Sequence, residues 1–174
     1  MTWVLALGSL LLAVPVGMLL LELASAYLGP RAIPVSARRP SVAVLMPAHN
    51  ESAGVAGTVH NVLAQLQPGD RLLVVADNCS DDTAALARAA GAEVSERQHS
   101  TERGKGYALA HGVVQLGADP REVVVIVDAD CRLGPNCIDQ LARRCQATAR
   151  PVQALYLMRS PPDAGLVQRV SEFA

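Results

Sequence analysis

Two acidic residues directly behind the most apolar run of the chain constrain it more than any other feature. Residues 122–127 read EVVVIV, and Asp128-Ala129-Asp130 follows without a spacer. A short, β-branched, continuously apolar run is the pattern of a strand buried on both faces, as in parallel sheets covered by helices. Residues 41–46 (SVAVLM) and 71–76 (RLLVVA) share it, and each also ends in polar residues. The first leads into Pro47-Ala48-His49-Asn50-Glu51, the second into Asp77-Asn78-Cys79-Ser80-Asp81-Asp82.

Helical periodicity fills the spaces between these runs. Val55, Val59, Val62, Leu63 and Leu66 recur on one helical face, and Pro68-Gly69 stops that helix. Ser80 reads as an N-cap, with Asp81 and Asp82 in the first turn of a helix that runs to about residue 90 and ends at Gly91. Residues 104–116 predict a helix with Tyr107, Ala110, Val113 and Val114 inward, and residues 136–147 another. Residues 92–96 read as an edge strand, residues 152–158 (VQALYLM) as a fifth strand, and a further helix is expected near Asp163. The fold class is therefore α/β: a Rossmann-like, mainly parallel sheet with helices on both faces, joined by right-handed crossovers.

Such sheets bind ligands beyond the carboxyl ends of their strands. All three polar clusters fall there, whereas the opposite edge carries Pro68-Gly69, Gly91 and Asp119-Pro120, an ordinary loop mixture. Turn chemistry alone would scatter Asp and Asn over both edges, so the asymmetry marks a site. In an extended chain Asp128 and Asp130, at i and i+2, point the same way. Two carboxylates so placed need a cation to offset their repulsion. A hard divalent ion with oxygen ligands, Mn2+ or Mg2+, fits that need and keeps positions open for phosphate oxygens.

Arg103-Gly104-Lys105-Gly106 opens the 104–116 helix and offers glycines for close backbone approach, a helix N-terminus and two cations to an anion. It is not a Walker loop, and no G-x-G-x-x-G follows the first strand. His49 lies within the first cluster. His60, His99 and His111 have no spacing suited to a metal or a triad, and Ser80 is in no G-x-S-x-G elbow. Cys79, Cys131, Cys137 and Cys145 form no C-x-x-C pair, so they read as small, partly buried thiols rather than a zinc site. Fifteen Lys and Arg against sixteen Asp and Glu leave a net charge of −1, and aromatics make up 3%. Neither phosphate neutralisation nor base stacking supports a nucleic-acid partner.

The amino-terminal segment has a different character. From Trp3 to Leu28 the only side chain charged at neutral pH is Glu22, and the stretch is long enough for a bilayer span of about 20 residues. Ala24-Ser25-Ala26 also resembles a signal-peptide cleavage site, but no Lys or Arg precedes the apolar run. Arg31, Arg38 and Arg39 follow it, the flank that stays in the cytoplasm. The expectation is a transmembrane helix over residues 1–28, a linker over 29–40, and a cytoplasmic domain over 41–174.

In order and spacing, the Pro47–Glu51 cluster, Ala76-Asp77-Asn78-Cys79-Ser80-Asp81-Asp82-Thr83, Arg103-Gly104-Lys105-Gly106-Tyr107-Ala108-Leu109 and Val127-Asp128-Ala129-Asp130 resemble family 2 glycosyltransferases of the GT-A fold. The resemblance covers about residues 41–174. It implies a nucleotide-diphosphate sugar as donor, commonly a UDP-sugar, and an inverting transfer to an acceptor that the motifs do not name. By carry-over, Pro47, Ala48, Asn50 and Glu51 line the nucleotide pocket and Asp77 meets the base. Arg103 and Lys105 lie near the diphosphate or base, Asp128 meets the ribose or the metal, and Asp130 holds the Mn2+ or Mg2+. The family's catalytic base and acceptor region are expected beyond residue 174, because no Glu-Asp pair follows Asp130 and no Gln-x-x-Arg-Trp appears. Two other readings stay open: a non-catalytic nucleotide-sugar-binding module, and a haloacid-dehalogenase-type phosphatase, whose D-x-D however lies near the chain start.

Overall fold

A computed structural model describes residues 2–28, 32–157 and 165, with no account of side chains at 2–8, 10 and 26. The helix expected near Asp163, residue 158 of the expected fifth strand, and Arg31 with the start of the linker lie outside the described residues. The chain forms two compact units, Met1–Ile33 and Pro34–Ala174.

The first unit contains α1 (Thr2–Ala26), which runs through Pro15. Among the described residues no helix is long and apolar enough to cross a membrane, so the expected span is not shown. Along α1, leucines and valines stand exposed in the isolated chain, from Leu11 and Leu12 to Leu21 and Leu23.

The second unit alternates strand and helix: β1 (Val42–Ala48), α2 (Val55–Leu63), β2 (Arg71–Asp77), α3 (Thr83–Ala89), β3 (Glu93–Arg97), α4 (Lys105–Leu116), β4 (Val123–Ile126) and α5 (Cys137–Thr148). All four strands are parallel, in the order β3-β2-β1-β4. Every residue of β1 is buried, as its unbroken apolar run requires. On one face Val42, Val44 and Met46 pack with Val55, Val59 and Val62 of α2, Ala87 of α3 and Ile138 and Ala142 of α5. On the other, Ala43, Leu45, Leu73 and Val75 pack with Ala108 and Leu116 of α4.

Several local expectations change. The face of α4 that meets the sheet is Ala108, Gly112 and Leu116, while Tyr107, Ala110, Val113 and Val114 are exposed. The cause is closeness: a Cβ on Gly112 would stand 2.3 Å from a Leu45 methyl, so the smallest residue faces the sheet. The third helix begins at Thr83 rather than behind Ser80. Asp81, not Ser80, supplies the oxygen that accepts from the Thr83 amide at 3.1 Å. Residues 151–157 are not a strand, and Leu155, Tyr156 and Leu157 are exposed. Strand-forming composition describes a segment suited to a pleated sheet, but here no ladder forms with β4.

Arg39 and Arg38, read from sequence as flanking charges, are ion-paired within the second unit. Arg39 donates to both carboxylate oxygens of Asp70 at 3.1 and 2.6 Å, and Asp70 also accepts from the Val42 amide at the start of β1. Arg38 pairs with Glu122, the residue before β4.

Candidate functional site

The strand order places a reversal between β1 and β4. From β1 the chain builds outward through β2 to β3, and α4 then carries it back to the other side of β1. Loops leaving the carboxyl ends of β1 and β4 therefore diverge, which opens a crevice of the kind that binds ligands in α/β sheets. A cavity of about 540 Å3 fills that crevice, lined from β1 by Pro47, Ala48, His49 and Glu51 and from β2 by Asp77 and Asn78. Arg103 and Gly104 line it from the residues before α4, Lys105 and Ala108 from α4 itself, and Asp128, Ala129 and Asp130 from the turn after β4. Its size is within the range of small-molecule sites.

Eight of the nine residues predicted from sequence line this one cavity: Pro47, Ala48, Glu51, Asp77, Arg103, Lys105, Asp128 and Asp130. Asn50 is the exception. It adopts the left-handed backbone conformation (φ 54°), and its side-chain oxygen accepts from the Ser80 amide at 2.8 Å. Asn78 has the same backbone conformation (φ 52°), and its oxygen accepts from the His99 amide. Asparagine tolerates that region better than other non-glycine residues, so part of the polar clustering is turn chemistry. The loops after β1 and β2 are further tied by the Glu51 amide to Thr83, the Ser52 amide to Asp81, and the His49 ring to the Asp77 carbonyl at 2.7 Å.

Asp77 is 4% exposed and pairs with Arg97 at 2.8 Å. Register explains the pair, because Asp77 and Arg97 are directly opposite on β2 and β3. Burial pushes the Asp77 carboxyl up, but the Arg97 guanidinium bonded to it, helped by the nearby Asn78 side chain and Gly104 amide, outweighs burial and holds the group below the usual range. Arg97 also binds Glu102 and lies over the Tyr107 ring at 5.5 Å. A buried, ionised acceptor thus stands at one end of the cavity, braced from behind.

At the other end Lys105, in the first turn of α4, is 2.5 Å from Asp128. Gly104 precedes it with φ 108°, a conformation that favours glycine. The Asp128 carbonyl accepts from the Cys131 amide at 3.0 Å, closing a turn that carries both acidic side chains. Thr58 of α2 pins the turn from below, its hydroxyl donating to the buried Ala129 carbonyl at 2.7 Å. Ligand atoms of Asp128, Asp130 and Cys131 all lie within 4.8 Å of one another, close enough to share one cation. Lys105 currently supplies part of the positive charge this cluster needs.

Sequence reasoning missed Thr58, Arg97 and Cys131. Arg97 becomes legible only once β2 and β3 are known to be parallel neighbours in this register. Thr58 lies on the buried face of α2, so its position carried a signal of burial but not of its partner.

The family model for glycosyl transferase family 2 matches residues 43–158. A 4,4'-diaponeurosporenoate glycosyltransferase of Staphylococcus aureus is 32% identical over 75 residues, which is 43% of this chain and 20% of the relative. Among solved structures, a mannosyltransferase of Pyrobaculum calidifontis in complex with GDP-Man and Mn2+ aligns at TM-score 0.62 and 24% identity, covering 78% of this chain and 42% of that one. Glucosyl-3-phosphoglycerate synthase of Mycobacterium tuberculosis aligns at TM-score 0.52 and 28% identity, covering 63% of this chain and 41% of that one. The chain thus spans about a fifth of the curated relative and about two fifths of these structures. With the family match running from β1 through the Asp128–Asp130 turn and past α5, this chain belongs to glycosyl transferase family 2.

Proposed function

We propose that this chain is the donor-binding part of a metal-assisted, inverting glycosyltransferase that takes a UDP-sugar. The observation that carries the reading is the single cavity holding Asp77 at one end and Lys105, Asp128 and Asp130 at the other. In this reading Asp77 accepts an N–H of the uracil edge, and Arg97 keeps its carboxylate ionised and aimed. Arg103, Lys105 and the amino end of α4 receive the diphosphate, where backbone N–H groups and the helix dipole favour anions. Asp128 and Asp130 hold Mn2+ or Mg2+, hard cations that suit carboxylate oxygens. The cation, when bound, offsets the negative charge gathering on the departing diphosphate. Pro47 and Ala48, at the end of buried β1, form a rigid apolar wall for the nucleoside.

Calorimetric titration with UDP tests this, with and without Mn2+. Asp130→Ala is expected to remove the enhancement by Mn2+, and Asp77→Ala to weaken UDP binding in both conditions. Unchanged metal dependence in the first variant, or unchanged affinity in the second, would reject the assigned role.

We further propose that α1 anchors the chain in a membrane, with the nucleotide-sugar unit on the cytoplasmic side. The support is the run from Trp3 to Leu28 with Glu22 as its sole charged group, and helices apolar all round are at home in lipid. Alkaline carbonate washing of membranes should leave the chain in the pellet. Its release into the supernatant would count against an anchor.

A further inference from the structure

The turn after β4 offers more than its two carboxylates. The bond from the Cys131 amide to the Asp128 carbonyl bends the chain back, bringing the Cys131 sulfur toward both acids. One oxygen from each acid and the sulfur lie within 4.8 Å of one another. Cys131 is half-buried and free, packed against the edge of the core, and among the described residues its sulfur has one polar contact, a long one of 3.8 Å to the Tyr156 hydroxyl. Cys79, the other thiol near the cavity, is turned toward the Ala48 carbonyl and the Asn50 amide instead.

We infer that Cys131 is a third protein ligand of the cation held by Asp128 and Asp130, giving the site one sulfur and two carboxylate donors. On binding, the sulfur forms the metal bond and the thiol proton passes to solvent. The inference rests on the metal-assisted reading above and refines it. Two carboxylates alone suit Mg2+ as well as Mn2+, whereas a sulfur ligand shifts preference toward softer and later divalent ions. The site should therefore discriminate against Mg2+ more strongly than a carboxylate pair would.

The test titrates the full chain in detergent with Co2+, which absorbs in the near ultraviolet only when sulfur is a ligand. The parent protein and Cys79→Ser should show that band, saturating at one ion per chain. Cys131→Ser should bind Co2+ by calorimetry but lack the band, and its preference for Cd2+ over Mg2+ should fall at least about tenfold. In the parent protein Cd2+ should also shield Cys131, but not Cys79, from iodoacetamide, a readout that needs no variant. Co2+ binding without the band, a band that follows Cys79, or equal alkylation of Cys131 with and without Cd2+ would overturn the inference and leave a carboxylate-only metal site standing. Failure of every divalent ion to bind would overturn both.

Discussion

The Thr58 hydroxyl ties α2 to the acidic turn through a buried hydrogen bond, so removing it separates packing from chemistry. Thr58→Val exchanges the hydroxyl for a methyl of nearly equal size and leaves no cavity. Thr58 is 7% exposed and Ala129 3%, so water cannot readily replace the 2.7 Å bond to the Ala129 carbonyl. The second acceptor of that hydroxyl, the Gly54 carbonyl at 3.5 Å, is at the limit of a useful bond. Loss of the bond and an orphaned carbonyl together should cost about 1–3 kcal/mol. For a unit of this size, that lowers the melting temperature by about 3 °C per kcal/mol. Urea melts followed by far-ultraviolet circular dichroism would read the cost, and Mn2+ titration would read its consequence. Partners that hold metal ligands in place typically matter about tenfold or more in affinity, and a loss of that order is expected here. Thr58→Ser, which keeps the hydroxyl, should lose about 1 kcal/mol from the missing methyl but bind Mn2+ normally. A valine variant as stable as the parent with unchanged Mn2+ affinity would refute the claim that this contact holds the turn.

Other parts of the account can be tested as directly. Arg97→Met leaves the Asp77 carboxylate buried and unpaired, which should cost about 3 kcal/mol in urea melts and weaken UDP binding. Asp81 accepts from the Thr83 hydroxyl above all, and against some burial this and its bonds with Ser52 lower its carboxyl from 3.8 to about 2. A lowered carboxyl stabilises the fold above its unfolded value and loses that contribution as pH falls toward about 2. Asp81→Asn should therefore flatten the fall of the urea midpoint between pH 3.8 and about 2, and a slope unchanged from the parent would contradict the assignment. Gly112→Val drives a side chain into Leu45 and Val75, whose methyls would lie 2.3 and 3.1 Å from the new Cβ. Overpacking of about 1–3 kcal/mol should appear as a lower urea midpoint, with UDP affinity unaltered.

The parts of this molecule legible in the sequence are those where one physical signal dominates. β1 and β2 are continuous apolar runs, and burial on both faces leaves such segments few alternatives, whereas β4, as apolar in sequence and expected to be covered on both faces, is an edge strand that leaves Val124 and Ile126 exposed. The candidate site was legible for the same reason. Buried parallel strands end on one edge, so the polar residues behind Ala48, Ala76 and Val127 had to meet. Helix faces were harder. Val113 and Val114 are apolar yet exposed, because close approach of α4 to the sheet favours Ala108 and Gly112 over larger residues. Asn50 shows a second limit: its residue type serves a left-handed turn as well as it serves a ligand. Residues 151–157 show a third, since β-forming composition does not say whether a neighbouring strand is there to pair with.

Anomalous diffraction from crystals grown with UDP and MnCl2 bears most directly on the central claim. The account predicts one manganese peak between the carboxylates of Asp128 and Asp130, with the diphosphate against Lys105 and the base at Asp77. A manganese peak away from that turn, or UDP bound outside the crevice between β1 and β4, would contradict it.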